Sequence, residues 1–181
     1  SKVFDSLTVS SLTASAASLP GSTIGITVSN PSTNGLYAVT TTENFISDSS
    51  PSTGKARVAF VAPASGNVEI NFQSGLSIND NLGATLYLGL STNGTTFGSG
   101  DVSGTQNVVY DVDTNRTGAR VTIHHKWVLT GLTSGSSYTY YVGADASNST
   151  TFSIVWGDND HDLYYPPLIV EARALPSVTT M

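Results

Sequence analysis

Apolar and polar residues alternate along most of this chain, and nowhere does the pattern settle into a sustained helical period. The alternation is most regular between residues 121 and 145. There Val121, Ile123, His125, Trp127 and Leu129 share one face of an extended strand, with Thr122, His124, Lys126 and Thr130 on the other. After the turn-forming stretch GLTSGS, Tyr138, Tyr140, Val142 and Ala144 again fall on one face, opposite Thr139, Tyr141, Gly143 and Asp145. The two runs read as the central hairpin of a sandwich.

The same period recurs on both sides. Short strands are expected at 24–28 and 36–42, separated by the turn signals Asn30-Pro31 and Asn34-Gly35. Val58, Phe60 and Ala62 alternate, residues 63–66 turn, and Val68, Ile70 and Phe72 resume, a hairpin signal with polar residues at the outward positions. Strands follow at 84–91 and 107–112, around a glycine-rich stretch, 91–106, that reads as a long mobile or edge loop. Phe152, Ile154 and Trp156 define another inward face, and 166–175 closes the pattern.

About ten short apolar runs at this spacing predict an all-β fold. A jelly-roll-like antiparallel β-sandwich is expected, preceded by an extended N-terminal arm with short strands over 1–45, the sandwich itself occupying 46–181. The alternative is an immunoglobulin-like or fibronectin-like sandwich, because Leu132-x-x-Gly135-x-x-Tyr138 resembles a tyrosine corner. Against it, the β-pattern from about 56 to 175 outruns the roughly 100 residues of such a domain.

Composition narrows the partners. Seven Lys and Arg against thirteen Asp and Glu give a net charge of -6, which opposes binding to nucleic acid or to an anionic membrane. Charged residues make up only 11%, so the surface is neutral and polar rather than laced with ion pairs. With no cysteine there is no disulfide and no thiolate metal site, and stability must come from core burial and oligomerisation.

Candidate chemistry is sparse. Asp158, Asp160 and Asp162, in GDNDHD, offer oxygen ligands at alternate positions that suit a loop around calcium, but the central glycine and distal glutamate of a helical-hand loop are missing. A solvated acidic loop with no cofactor is the competing reading. His124 and His125, adjacent in a strand, point to opposite faces and cannot share an ion within one chain. No nucleophile elbow, paired carboxylates beyond that loop or phosphate loop appears, so no enzyme is expected. The tyrosines and tryptophans could form a sugar-stacking platform, though burial explains most of them. Tyr164 and Tyr165, beside Pro166-Pro167, read instead as a subunit contact.

The segment SLTVSSLTAS resembles the repetitive arms of bacteriophage fibres and capsid appendages, and VWGDNDHDLYYPPLIVEARALP is similar to the last strands of jelly-roll heads in phage virion proteins. The resemblance implies a homotrimer of the tumour necrosis factor-like type, carried on the virion surface and anchored by its arm to a major capsid or other virion protein, without catalytic residues. Trimerisation would cover Ile169 and Leu175 on the final strand. Within it, a decoration or cement protein or fibre head competes with a receptor-binding tail-fibre tip that grips host surface glycans. A carbohydrate-binding module of a secreted bacterial protein is the alternative outside the family.

Overall fold

The structure is a computed structural model, and it describes residues 19–29, 35–47, 54–80, 82–98, 100–114, 117–149, 151–158 and 164–178. In chain order its strands are β1 (Thr23–Val28), β2 (Gly35–Ala38), β3 (Asn44–Phe45), β4 (Arg57–Val61), β5 (Val68–Ile78) and β6 (Ala84–Ser91). There follow β7 (Asn107–Val112), β8 (Arg120–Leu129), β9 (Ser137–Ala146), β10 (Phe152–Asp158), β11 (Tyr164–Tyr165) and β12 (Ile169–Ala174). Every pairing between them is antiparallel. They form a seven-stranded and a five-stranded sheet, the expected all-β sandwich.

β5 is the spine of the larger sheet. β8 pairs with one edge along residues 68–77, while the other edge is shared between β12 at 68–73 and β10 at 75–78. β1 lies outside β12, and β2 lies outside β10. In the smaller sheet β9 pairs with β6 on one side and with β4 and β3 on the other, and β7 closes the far edge. The alternation read from the sequence supplies the core: Val68, Ile70, Phe72 and Leu76 of β5 meet Leu86, Leu88 and Leu90 of β6 and Val142 of β9, all nearly solvent-free. Each such side chain contributes about 1.5–3 kcal/mol by leaving water.

Three expectations need correction. The runs at 121–129 and 137–146 are not a hairpin, because β8 belongs to the larger sheet and β9 to the smaller. The same is true of β4 and β5. In both places the turn residues carry the chain across the sandwich rather than back along its own sheet, a choice that alternation cannot encode because both outcomes bury the same face. Nor does the sandwich begin at 46: β1, β2 and β3 pair with β12, β10 and β9, so residues 23–28, 35–38 and 44–45 are built into the two sheets. Residues 1–18, the rest of the expected arm, lie outside the described residues.

The crossing from β8 to β9 is a tyrosine corner. The Thr133 backbone N–H donates to the Tyr138 hydroxyl at 3.0 Å, five residues back across the turn. With β5 beside β8 and β6 beside β9 in separate sheets, the centre of the molecule has the neighbour relations of an immunoglobulin-type sandwich.

The glycine-rich stretch is tied to both sheets at its described residues. Val102 N–H donates to Leu90 O at 2.8 Å, and the Trp127 indole N–H donates to Thr105 O at 2.6 Å, fastening the segment to both sheets. Phe97 covers Gly143 on the outer face of β9, where a Cβ would strike its ring. Phe45 meets Phe97 edge-on at 5.1 Å and Tyr141 at 5.6 Å. The ammonium of Lys55 sits 4.0 Å above the Phe45 ring and donates to Gly94 O.

Replacing Tyr138 with Phe removes one hydrogen bond and little volume. The expected loss is about 1 kcal/mol, read as a lower urea midpoint with an unchanged slope.

Candidate functional site

The outer face of the seven-stranded sheet is an ordered grid, because antiparallel register puts directly opposed residues side by side. One row runs Ile26, Glu171, Asn71, Lys126, and the next runs Val28, Ile169, Gln73, His124. Above them Arg173 stands opposite Glu69, with Val128 beyond it. These rows floor an open groove of about 360 Å³.

The charged members are fixed by one another. Arg173 donates to Glu171 at 2.9 Å, the Thr23 hydroxyl donates to the same carboxylate, and Lys126 donates to Glu69 at 3.2 Å. The hydrogen bond from Arg173 is the main reason that the Glu171 carboxyl is held below its ordinary range, with burial opposing and Thr23 assisting. The Gln73 amide and the His124 imidazole between these pairs remain available. Asn71 Oδ1 is buried and accepts no hydrogen bond within the protein. His124 faces the groove while His125 turns to the inner side, edge-on to Trp127 at 4.6 Å, its basicity lowered by burial. The expectation of opposite faces holds.

Two residues further along β5 the floor ends at Gly75, over which Tyr165 lies. Its ring is roofed by the Arg120 guanidinium at 5.7 Å. Tyr165 also closes over Val155, which points outward yet is only 1% exposed. The other aromatic residues proposed as a platform are distributed otherwise: Trp127, Trp156 and Tyr140 are core, and Tyr141 serves the anchored loop.

Of the residues singled out in the sequence, Tyr165 and Ile169 come to this face, and Leu175 follows β12, half-buried, its N–H bonded to Asn67 O. Tyr164 pairs through its backbone with Asp158. Asp160 and Asp162 lie outside the described residues, and among those described no group of three or more His, Asp or Glu is arranged to hold a metal ion.

The opposite outer face holds a constellation that sequence reading missed. Glu43, from the loop before β3, places its carboxylate over Gly89 of β6, where a Cβ would collide with it. Burial, then Asp101, then Asp145 push its pKa up to about 7. Asp145 is itself raised by burial, although Gln106 donates to it at 3.2 Å. The phenol of Tyr37, buried beside Asp145 and Glu43, is pushed up to about 12. These acids come from residues 43, 101 and 145, with no motif linking them; the one signal was Gly89 inside an otherwise regular strand, a mark of close approach.

No protein-family model and no curated protein matches the sequence. Among solved structures, the chain is similar to the CBM22-1 and GH10 modules of the N-terminal endo-1,4-β-D-xylanase 10B of Clostridium thermocellum, complexed with xylohexaose, at 14% identity and a TM-score of 0.31. The alignment covers 82% of this chain and 27% of that one. At that TM-score the likeness carries no argument about ligand or activity.

Gly75 tests the placement of Tyr165. In Gly75→Ala the new methyl would stand 2.8 Å from both the Tyr165 ring and Val155 O. The variant is expected to lose about 1–3 kcal/mol in denaturant unfolding and to release Tyr165, read as increased reactivity of its ring towards a tyrosine-modifying reagent.

Proposed function

We propose that this sandwich is a non-catalytic binding module whose seven-stranded face takes a polyhydroxylated ligand, a stretch of glycan, along the groove over Asn71 and Gln73. The observation that carries this reading is the register of the groove floor, which sets Asn71 beside Lys126 and Gln73 beside His124 in an open groove. Along it Gln73, His124 and the paired charges offer donors and acceptors at strand spacing, and Ile26 and Ile169 give apolar contact for the C–H faces of a sugar ring. Sites of this kind combine a few placed polar groups with apolar walls. The reading serves equally a receptor-binding fibre tip and a module of a secreted protein.

A virion appendage assembled from several copies is the second reading, supported by Ile26 and Val28, which are 56% and 49% exposed on edge strand β1 with Ile169 opposite Val28. An apolar strip on an unpaired sheet edge is a surface that self-association covers.

Two measurements separate the readings. On a glycan array the wild type is expected to bind, and the Gln73→Ala, His124→Ala double variant to bind at least about tenfold more weakly, a loss of about 1.4 kcal/mol, with unchanged thermal stability. An array without binding removes the glycan reading. Light scattering on the full chain is expected to give three times the 18.8 kDa chain mass if the appendage reading holds, returning to one chain in Val28→Lys. A monomeric wild type at every concentration removes the trimer.

A further inference from the structure

We propose that the loop residues 92–98 and 100–106 form a pH-sensitive clamp on the outer face of the five-stranded sheet, closed while Glu43 carries a proton and loosened when it ionises. The inference is independent of the glycan reading, which concerns the opposite face.

The geometry is that of a joint between loop and sheet. Asp101 belongs to the loop: it bridges to Ser91 and accepts from Gly98 N–H at 2.8 Å. Asp145 belongs to β9 and holds the end of the loop through Gln106. Glu43 interacts with both from above Gly89, whose missing side chain leaves it that position. Tyr37 of β2 faces the same carboxylates, and Tyr87 of β6 is the cross-strand neighbour of Asp145. Lys55 touches the loop at its other end, through Gly94. The two aspartates are therefore the charges that raise Glu43, and neither compensates it.

A neutral Glu43 leaves two carboxylates, one of them held by Gln106. An ionised Glu43 puts a third negative charge beside them on a half-buried surface, and the repulsion acts directly on Asp101 and Asp145, the residues that join loop to sheet. The sign follows from linkage. Because folding raises the Glu43 pKa from its ordinary value to about 7, the folded state binds more protons between those two values. The stabilisation is complete below the ordinary glutamate range and disappears as the pH rises through about 7. Tyr37, pushed up to about 12, stays neutral throughout.

What loosens is defined by its attachments. The Thr92 N–H to Gly100 O bond closes the loop on itself, and the loop is held to the sheets by the Val102 N–H to Leu90 O bond, the Trp127 indole bond to Thr105 O and the seating of Phe97 on Gly143. The spine pairing of β5 with β8 contains none of the three acids.

Amide hydrogen exchange of the full chain, with a chelator present so that adventitious divalent cations play no part, tests the clamp. Protection factors of Thr92 and Val102, corrected for intrinsic exchange, are expected to fall about tenfold between about pH 5.5 and about pH 8.5, while those of β5 and β8 stay constant. In Glu43→Gln the loop is expected to stay protected across the range. Asp145→Asn, a second variant should Glu43→Gln fail to fold, is expected to move the midpoint to lower pH. Loop protection in the wild type that does not change with pH, or the same fall in Glu43→Gln, overturns the proposal; an unmoved midpoint in Asp145→Asn does so too.

Discussion

The constraint on which this sandwich depends is that its two crossings between sheets, 62–66 and 132–136, are hydrogen-bonded to each other. Leu132 N–H donates to Gly66 O at 2.9 Å, Gly135 N–H to Ala62 O at 3.0 Å, and Ala62 N–H to Ser136 O at 2.9 Å. Once the corners are joined, β4 must run beside β9 in one sheet and β5 beside β8 in the other, and the register of both pairs is set from the same end. Gly66 is needed there twice over: its φ of 66° is strained for other residues, and a Cβ would press on Leu132 O. The Tyr138 hydroxyl braces the second corner through Thr133, so one cluster of backbone groups aligns the two layers at this end.

This explains what the sequence could disclose. Alternation at 68–72, 84–91, 121–129 and 138–144 identified which residues face inward, because burial on one face of a strand leaves a period of two. It could not say which strand lies next to which. A turn such as 63–66 can return a strand along its own sheet or pass it to the other, and both outcomes bury Val58, Phe60, Val68 and Ile70. The local signal that does bear on neighbours, Leu132-x-x-Gly135-x-x-Tyr138, was legible because a tyrosine corner is made by residues close in sequence. The groove was legible only in fragments: Ile169 and Tyr165 stood out, but Asn71, Gln73 and His124 read as ordinary outward polar positions. Their meaning lies in register, which brings residues 50 and 100 positions apart into one row.

Glycine carries information that the polar pattern lacks. Gly75, Gly89 and Gly143 each occupy an outward strand position, and each is covered by a side chain from elsewhere: Tyr165, Glu43 and Phe97. In a strand a glycine sacrifices propensity and side-chain packing. Here the sacrifice makes a seat, and through these seats segments without extensive pairing of their own, around β11, before β3 and in 92–106, are positioned on the sheets. The loop at 92–106 illustrates the point: its glycines made it look mobile, whereas the glycine that decides its position is Gly143, on the strand beneath.

The two outer faces then differ in the kind of work they suit. On the larger sheet, strands paired over up to ten residues hold the groove side chains, and Glu171 and Glu69 are matched by Arg173 and Lys126. A surface that is fixed before a ligand arrives has less ordering entropy to lose on binding. On the smaller sheet the acids Glu43, Asp101 and Asp145 meet with no ion-pair partner among the described residues, under a loop held by hydrogen bonds and one aromatic ring. Ion pairing balances the acids of the first face, and among the described residues the acids of the second lack it. Both properties follow from where seven cations and thirteen acids are placed along one register, and net charge alone gives no hint of either.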